Sequence, residues 1–189
     1  DLETTGFSAK SDKIIEIGAV KVENGKIIDR FSTFVNPEIP IPFRIEKLTS
    51  INDEMVIDAP KIEEILPKFI EFCKNSVMVA HNSDFDMSFI EANCKRQDLE
   101  CDFTVIDTVA MSRYLIIGLG RYKLDNVAKA LGIVLDHHHR AVDDAECTAL
   151  IFLKLCKMLE GKGIDNLDEL NRQGKQSKNL IDKLPAHHA

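Results

Sequence analysis

What the chain of 189 residues lacks limits it first. No apolar run approaches the roughly 20 residues that span a bilayer as a helix, and no charged-then-apolar leader opens the sequence, so the reading is of a soluble, cytoplasmic protein. The five cysteines, Cys73, Cys94, Cys101, Cys147 and Cys156, are odd in number and never spaced Cys-x-x-Cys. That argues against zinc ligands and disulfides and suits small core residues in a reducing compartment. The net charge of −7 argues against a broad basic face for duplex DNA. A nucleic-acid substrate would need bound metal to supply much of the positive field. There is no internal repeat and no low-complexity segment. With 44% hydrophobic residues, the chain is long enough for one sizeable core, most simply a single domain with an appendage.

The first third reads as a meander. "KIIEIGAVKV" and "KIIDRFSTFV" are β-rich runs separated by Glu23-Asn24-Gly25, and an Asn-Gly pair between two such runs signals a hairpin. The opening "DLET" makes a third strand. "SVMVAHN" and "CDFTVIDT" are each followed by helical periodicity. Helices are expected over 60–74, 84–96, 109–117, 124–131 and 141–159, with Pro60 in a first turn, Gly132 as a C-terminal cap and Pro67 as a kink or split. The expected fold is α/β, a mixed five-stranded sheet (antiparallel meander, then parallel βα units) flanked by helices. Residues 1–160 form the domain, and 161–189 a polar C-terminal tail or linker. The first strand has no apolar residues before Asp1, so it is expected to be truncated at its start.

The acidic and histidine motifs carry the chemistry. Alternate strand residues share a face, so Asp1 and Glu3 project together, a costly pairing unless a cation lies between them. In "HNSDFDMSF", Asp86 shares a helical face with Phe89, Ile90 and Cys94, while Asp84 lines up with Ser88, Glu91 and Lys95. In "HHHRAVDDAECTALIFLKLCKML", Asp144 shares a stripe with Thr148, Ile151 and Leu155, and Asp143 falls on the polar side. His139 stands five residues ahead of Asp144. Four carboxylates from separate segments and one imidazole supply hard ligands for two Mg²⁺ or Mn²⁺ ions and a base to deprotonate water.

"DLETTG", "HNSDFD" and the His139-x-x-x-x-Asp144 spacing resemble, in order, the three motifs of the DnaQ-like 3′–5′ exonucleases, in the subgroup with histidine in the third. The sister subgroup has tyrosine four residues before the last aspartate, where this chain has Arg140. The resemblance covers about residues 1–160. It implies a ribonuclease-H-like fold, metal ligands at Asp1, Glu3, Asp86 and Asp144, and His139 as general base. "VAHNSDFD", "VIDTVAMSR", "YKLDNVAKALGI" and "HHHRAVDDA" further resemble the exonuclease domains of PolC-type bacterial replicative DNA polymerases. That implies proofreading of single-stranded or frayed DNA from its 3′ end, with release of nucleoside 5′-monophosphates. The partners would be a polymerase body of the same chain and a sliding clamp.

Thr4, Thr5 and Gly6 follow the first carboxylate pair, where hydroxyls and a close backbone suit a terminal sugar, while Thr4 and Thr5 read alternatively as shaping a turn alone. Ile45, Leu48 and Ile51 read either as core packing or as a wedge on the terminal base, and Phe85 either as core or as a stacking platform. Asn82 of the second motif is counted with these substrate contacts. His81 reads as ordering a strand-helix turn, and Asp107 as a helix cap. An exoribonuclease with the same catalytic residues is the alternative, since selection against a 2′-OH lies in other contacts. An inactive exonuclease fold kept for binding would have lost a ligand or the base, and all five residues are present.

Overall fold

The computed structural model describes residues 1–134 and 140–164. Asn24 and Gly25 both take positive φ, 51° and 74°, as a two-residue turn between twisted strands requires. They join β2 (Ile14–Glu23) to β3 (Lys26–Phe34). β1 (Leu2–Thr4) adds antiparallel to β2, so the sheet order is β1-β2-β3. In this register Glu16 stands between Glu3 on one side and Phe34 on the other.

β2 is buried on both faces from Ile14 to Gly18. Ile15 packs in one cluster with Ile41, Ile45, Ile51 and Val56. That cluster draws on α1 (Phe43–Thr49) and α2 (Asp53–Val56), two helices absent from the sequence reading because so few turns leave little periodicity to detect. Ser50 ends α1 in the left-handed region, and the Asn52 side chain caps α2 by accepting from Met55 N at 3.1 Å. α3 (Ile62–Cys73) runs through Pro67 as a single element rather than splitting. The proline removes one backbone bond, and the buried Leu66 and Phe69 on either side hold the helix, with Phe31 packed on Phe69 and Phe72 at 5.5 Å.

α4 (Ser83–Gln97) buries Phe89, Ile90 and Cys94. Asp98 then turns left-handed, and Leu99 N donates to Cys94 O at 3.0 Å. This brings Cys101 back beside Cys94, and the two form a disulfide with Cα atoms 6.3 Å apart, which corrects the expectation of unpaired cysteines. Odd count and loose spacing carry no information about a turn that folds two cysteines together.

The chain divides into two compact units. The first holds residues 1–75, 84–101 and 140–146, and the second 76–83, 102–134 and 147–164. In the second unit, β4 (Met78–Ala80) and β5 (Val105–Asp107) pair in parallel. α5 (Thr108–Leu115), α6 (Leu124–Ala130) and α7 (Ala141–Glu160) from Cys147 onward build its core around Met111, Val127, Ile151 and Leu155. Gly132 ends α6 with φ 65°, as expected of a cap. After α7, Gly163 at φ 74° lets Ile164 N bond Leu159 O while its side chain packs into the core, so ordered packing extends past residue 160. The rest of the expected tail, 165–189, lies outside the described residues. Among the described residues the strands form sheets of three and two, where a single five-stranded sheet was expected. No helix there is long and apolar enough to cross a membrane.

Candidate active site

Strand alternation puts Asp1 and Glu3 on one face of β1, and the first turn of α7 brings Asp144 to them. The three carboxylates offer oxygens that all lie within 4.8 Å of one another. Asp86, in the first turn of α4, is only 8% exposed and adds a fourth negative charge, although it stands outside that close group. Its neighbour Asp84 is exposed, so the helical phase separates the two aspartates as expected.

Burial and crowding act together on Glu3. Burial first, then the charges of Asp144, Glu16 and Asp86, push its carboxyl up from 4.5 to about 7. Carboxylates held this close in a low-dielectric site are stable when a cation lies among them. Hard oxygen donors at this spacing fit a divalent ion of the Mg²⁺ or Mn²⁺ type, and the group includes no soft thiolate ligand.

The start of α7 is fixed to β2 by several contacts. The Glu16 side chain is fully buried, and Arg140 donates to its Oε1 through Nε at 2.9 Å and Nη2 at 2.7 Å. Ala141 N donates to Glu16 Oε2 at 3.1 Å. The Arg140 guanidinium also lies 4.8 Å from the Phe34 ring centroid. Gly18, two residues along, permits the approach, because a Cβ there would meet the Ala141 and Val142 backbone at 2.1 Å. Arg140 O in turn accepts from Asp144 N at 3.1 Å.

The loop after β1 is less open to substrate than its sequence suggests. Thr4 and Thr5 are buried, with Thr4 Oγ1 donating to Gly6 O at 2.6 Å and Thr5 Oγ1 accepting from Lys13 N at 2.9 Å. Gly6 is buried too, with the Asp12 carboxylate filling the place of a Cβ at 2.4 Å. These three residues shape the turn through the bonds they already make. Phe7, next in the chain and 70% exposed, was overlooked. Its ring lies 6.4 Å from that of the half-buried Phe85, which in turn packs on Phe89 at 5.2 Å. An aromatic directly after a glycine turn was the available signal. Arg96 Nη2 donates to Ala9 O at 2.7 Å and ties this loop to α4.

Ile45 and Ile51 are core residues at 3% and 0% exposure, in line with the packing reading, and of the three only Leu48 is exposed. Asn82 is exposed, with φ 72°, at the turn after β4 in the second unit. Its N–H donates to Asp107 Oδ1 at 3.0 Å, and Asp107 also accepts from Val109 N at 2.8 Å as the cap of α5. His81 orders the same turn through Thr108 Oγ1 at 2.8 Å and Tyr122 O at 2.9 Å, and burial holds its pKa below the usual imidazole value. His139, the expected base, lies outside the described residues.

Known proteins share this sequence and this fold. The PolC-type DNA polymerase III of Caldanaerobacter subterraneus subsp. tengcongensis is 51% identical over 188 residues, covering 100% of this chain and 13% of that protein. The chain thus spans about an eighth of that relative's length. A solved structure of Exonuclease X in complex with 5′ overhanging duplex DNA superposes with a TM-score of 0.67 at 30% identity, covering 86% of this chain and 90% of that one. The nuclease domain of 3′hExo, a DEDDh family member bound to rAMP, shares the ribonuclease-H-like fold with a TM-score of 0.71 at 21% identity, covering 87% and 91%. Residues 1–152 match the RNase_T Exonuclease family, and the chain belongs to that family.

Proposed function

We propose that this chain is the 3′–5′ proofreading exonuclease of a replicative DNA polymerase and removes nucleoside 5′-monophosphates from a single-stranded or frayed 3′ end. The observation that carries this reading is the convergence of Asp1, Glu3 and Asp144 within 4.8 Å in a chain of the Exonuclease family. Half-identity to a PolC-type DNA polymerase III along the whole chain supports DNA over RNA and a polymerase body as neighbour. A clamp would be reached through that body.

Asp1, Glu3 and Asp144, with Asp86 close by, would hold two divalent cations, Mg²⁺ or Mn²⁺. When bound, such ions supply positive charge against the scissile phosphate and lower the pKa of a water beside it. His139 is the base in this reading, and an imidazole near its ordinary pKa accepts a proton at neutral pH with little tuning. The water oxygen attacks phosphorus, its proton passes to His139, and the bond to the 3′ oxygen of the penultimate nucleotide breaks. Phe7 and Phe85 offer ring faces on which any terminal base can stack, and Leu48 offers an exposed apolar edge. A mismatched end enters most easily, because separating it costs least.

The test is digestion of 5′-labelled DNA and RNA 12-mers of equal sequence, with Mn²⁺ or with EDTA. We expect a metal-dependent ladder shortening from the 3′ end of the DNA. Preference for the RNA would move the substrate to RNA, and no cleavage of either with Mn²⁺ bound would refute the enzyme reading.

A further inference from the structure

We propose that Glu16 and Arg140 form a positioning clamp that fixes Asp144 relative to Glu3 and thereby sets the affinity of the carboxylate group for its cation. The proposal rests on the reading that Asp1, Glu3 and Asp144 hold a divalent ion. Four observations converge on it. Glu16 is the one charged residue in the buried run from Ile14 to Gly18, and it sits directly across the ladder from Glu3. A carboxylate in such a place is tolerated only with strong partners. Its partners are Arg140 and the Ala141 N–H, so both its oxygens are taken up by the start of α7. Arg140 O then receives Asp144 N, closing a path from Glu3 through the sheet to Asp144.

The residue types suit the task. Arginine presents a planar fork that can bond a carboxylate and lie over an aromatic ring at once, as this one does over Phe34. Lysine would keep the charge but lose the fork. α7 has a second tie to the sheet, from Glu146 to Arg30 of β3 at 2.9 Å, but that pair is exposed on both sides. Exposed pairs contribute little rigidity. The same helix thus carries an internal control.

The experiment measures Mn²⁺ affinity, by the paramagnetic signal of the free ion, for the intact chain and for Arg140→Met, Arg140→Lys, Glu16→Gln, the double variant Glu16→Gln/Arg140→Met and Arg30→Met. All are held well below their unfolding midpoints. Partners that orient metal ligands typically account for 10- to 100-fold in affinity, so we expect about tenfold weaker binding in Arg140→Met and a smaller loss in Arg140→Lys. The double variant should be no weaker than the worse single, because the two residues act as one unit. Arg30→Met should match the parent. The clamp is overturned if Arg140→Met binds Mn²⁺ within twofold of the parent, or if Arg30→Met loses as much. Should Arg140→Met fail to fold, Arg140→Lys and Glu16→Gln carry the same comparison. DNA cleavage followed alongside separates the two readings. A parent that binds Mn²⁺ and leaves DNA intact loses the exonuclease reading while the clamp is judged on affinity. A parent that cleaves, beside an Arg140→Met of unchanged affinity, keeps the exonuclease and loses the clamp. A parent that binds no Mn²⁺ overturns both.

Discussion

Replacing Glu3 by glutamine should make the metal-free protein more stable at alkaline pH while destroying its function. Glu3 in the folded chain holds its proton up to about pH 7, against 4.5 for the ordinary carboxyl. Below pH 4.5 both states are protonated and the site costs nothing. Between 4.5 and 7 the unfolded chain releases the proton while the folded chain keeps it, so stability falls as pH rises through this window and stays reduced above it. At 1.36 kcal/mol per pH unit the interval integrates to about 3 kcal/mol. Glutamine keeps the shape and carries no charge, so Glu3→Gln avoids the whole penalty. For a chain of this size, about 2–4 °C per kcal/mol gives a midpoint about 6–12 °C higher than the parent's at pH 8.5 in EDTA, and no difference near pH 4.5. Thermal melts by circular dichroism across that pH range make the comparison. Mn²⁺ should reverse the order at pH 8.5, since the ion at free concentration c stabilises the parent by RT ln(1 + c/Kd) and stabilises the variant, with its weaker site, less. A Glu3→Gln protein that melts at or below the parent at pH 8.5 in EDTA would refute the strained-site argument.

Three further outcomes follow from the same geometry. Asp144→Ala and His139→Ala should each lower kcat on single-stranded DNA by at least about 100-fold, with only the first weakening Mn²⁺ binding, as calorimetry can show. Phe7→Ala should raise KM for a short oligonucleotide by roughly 5- to 150-fold, the range of one lost base stack, with kcat nearly unchanged in steady-state assays. Gly18→Ala should cost about 2 kcal/mol or more in urea denaturation, because its Cβ would press on the backbone of α7, and should weaken Mn²⁺ binding as α7 shifts.

The parts of the site legible in the sequence were those that a local period decides. Strand alternation paired Asp1 with Glu3, and helical phase separated Asp86 from Asp84 and aligned Asp144 with Thr148 and Ile151, which are both buried. Glu16 escaped notice because "IIEIG" reads as an ordinary strand. The available signal was a lone charge at a position whose neighbours are all buried, and its meaning needed Arg140, 124 residues away. Phe7 escaped because exposure is not a sequence property. Ile45 and Ile51 stayed open between packing and a wedge, because only tertiary contact tells a core isoleucine from a binding one, and both lie in the core. The Cys94–Cys101 pair likewise depends on the turn at Asp98.

These features bear on one another through charge. Glu3, Glu16, Asp86 and Asp144 all act on one small region, and the protein compensates Glu16 with Arg140. Had Glu16 been apolar, Glu3 would feel less repulsion but α7 would lose its anchor at the turn that carries Asp144. Had a second arginine neutralised Glu3, the carboxylates would no longer attract a cation. The arrangement is coherent if the Glu16–Arg140 pair holds the frame while the carboxylates of Asp1, Glu3 and Asp144 stay crowded together, ready for an ion. The Glu3→Gln melts and the Arg140 affinities test the two halves of this argument separately, since the first removes the repulsion and the second loosens the frame.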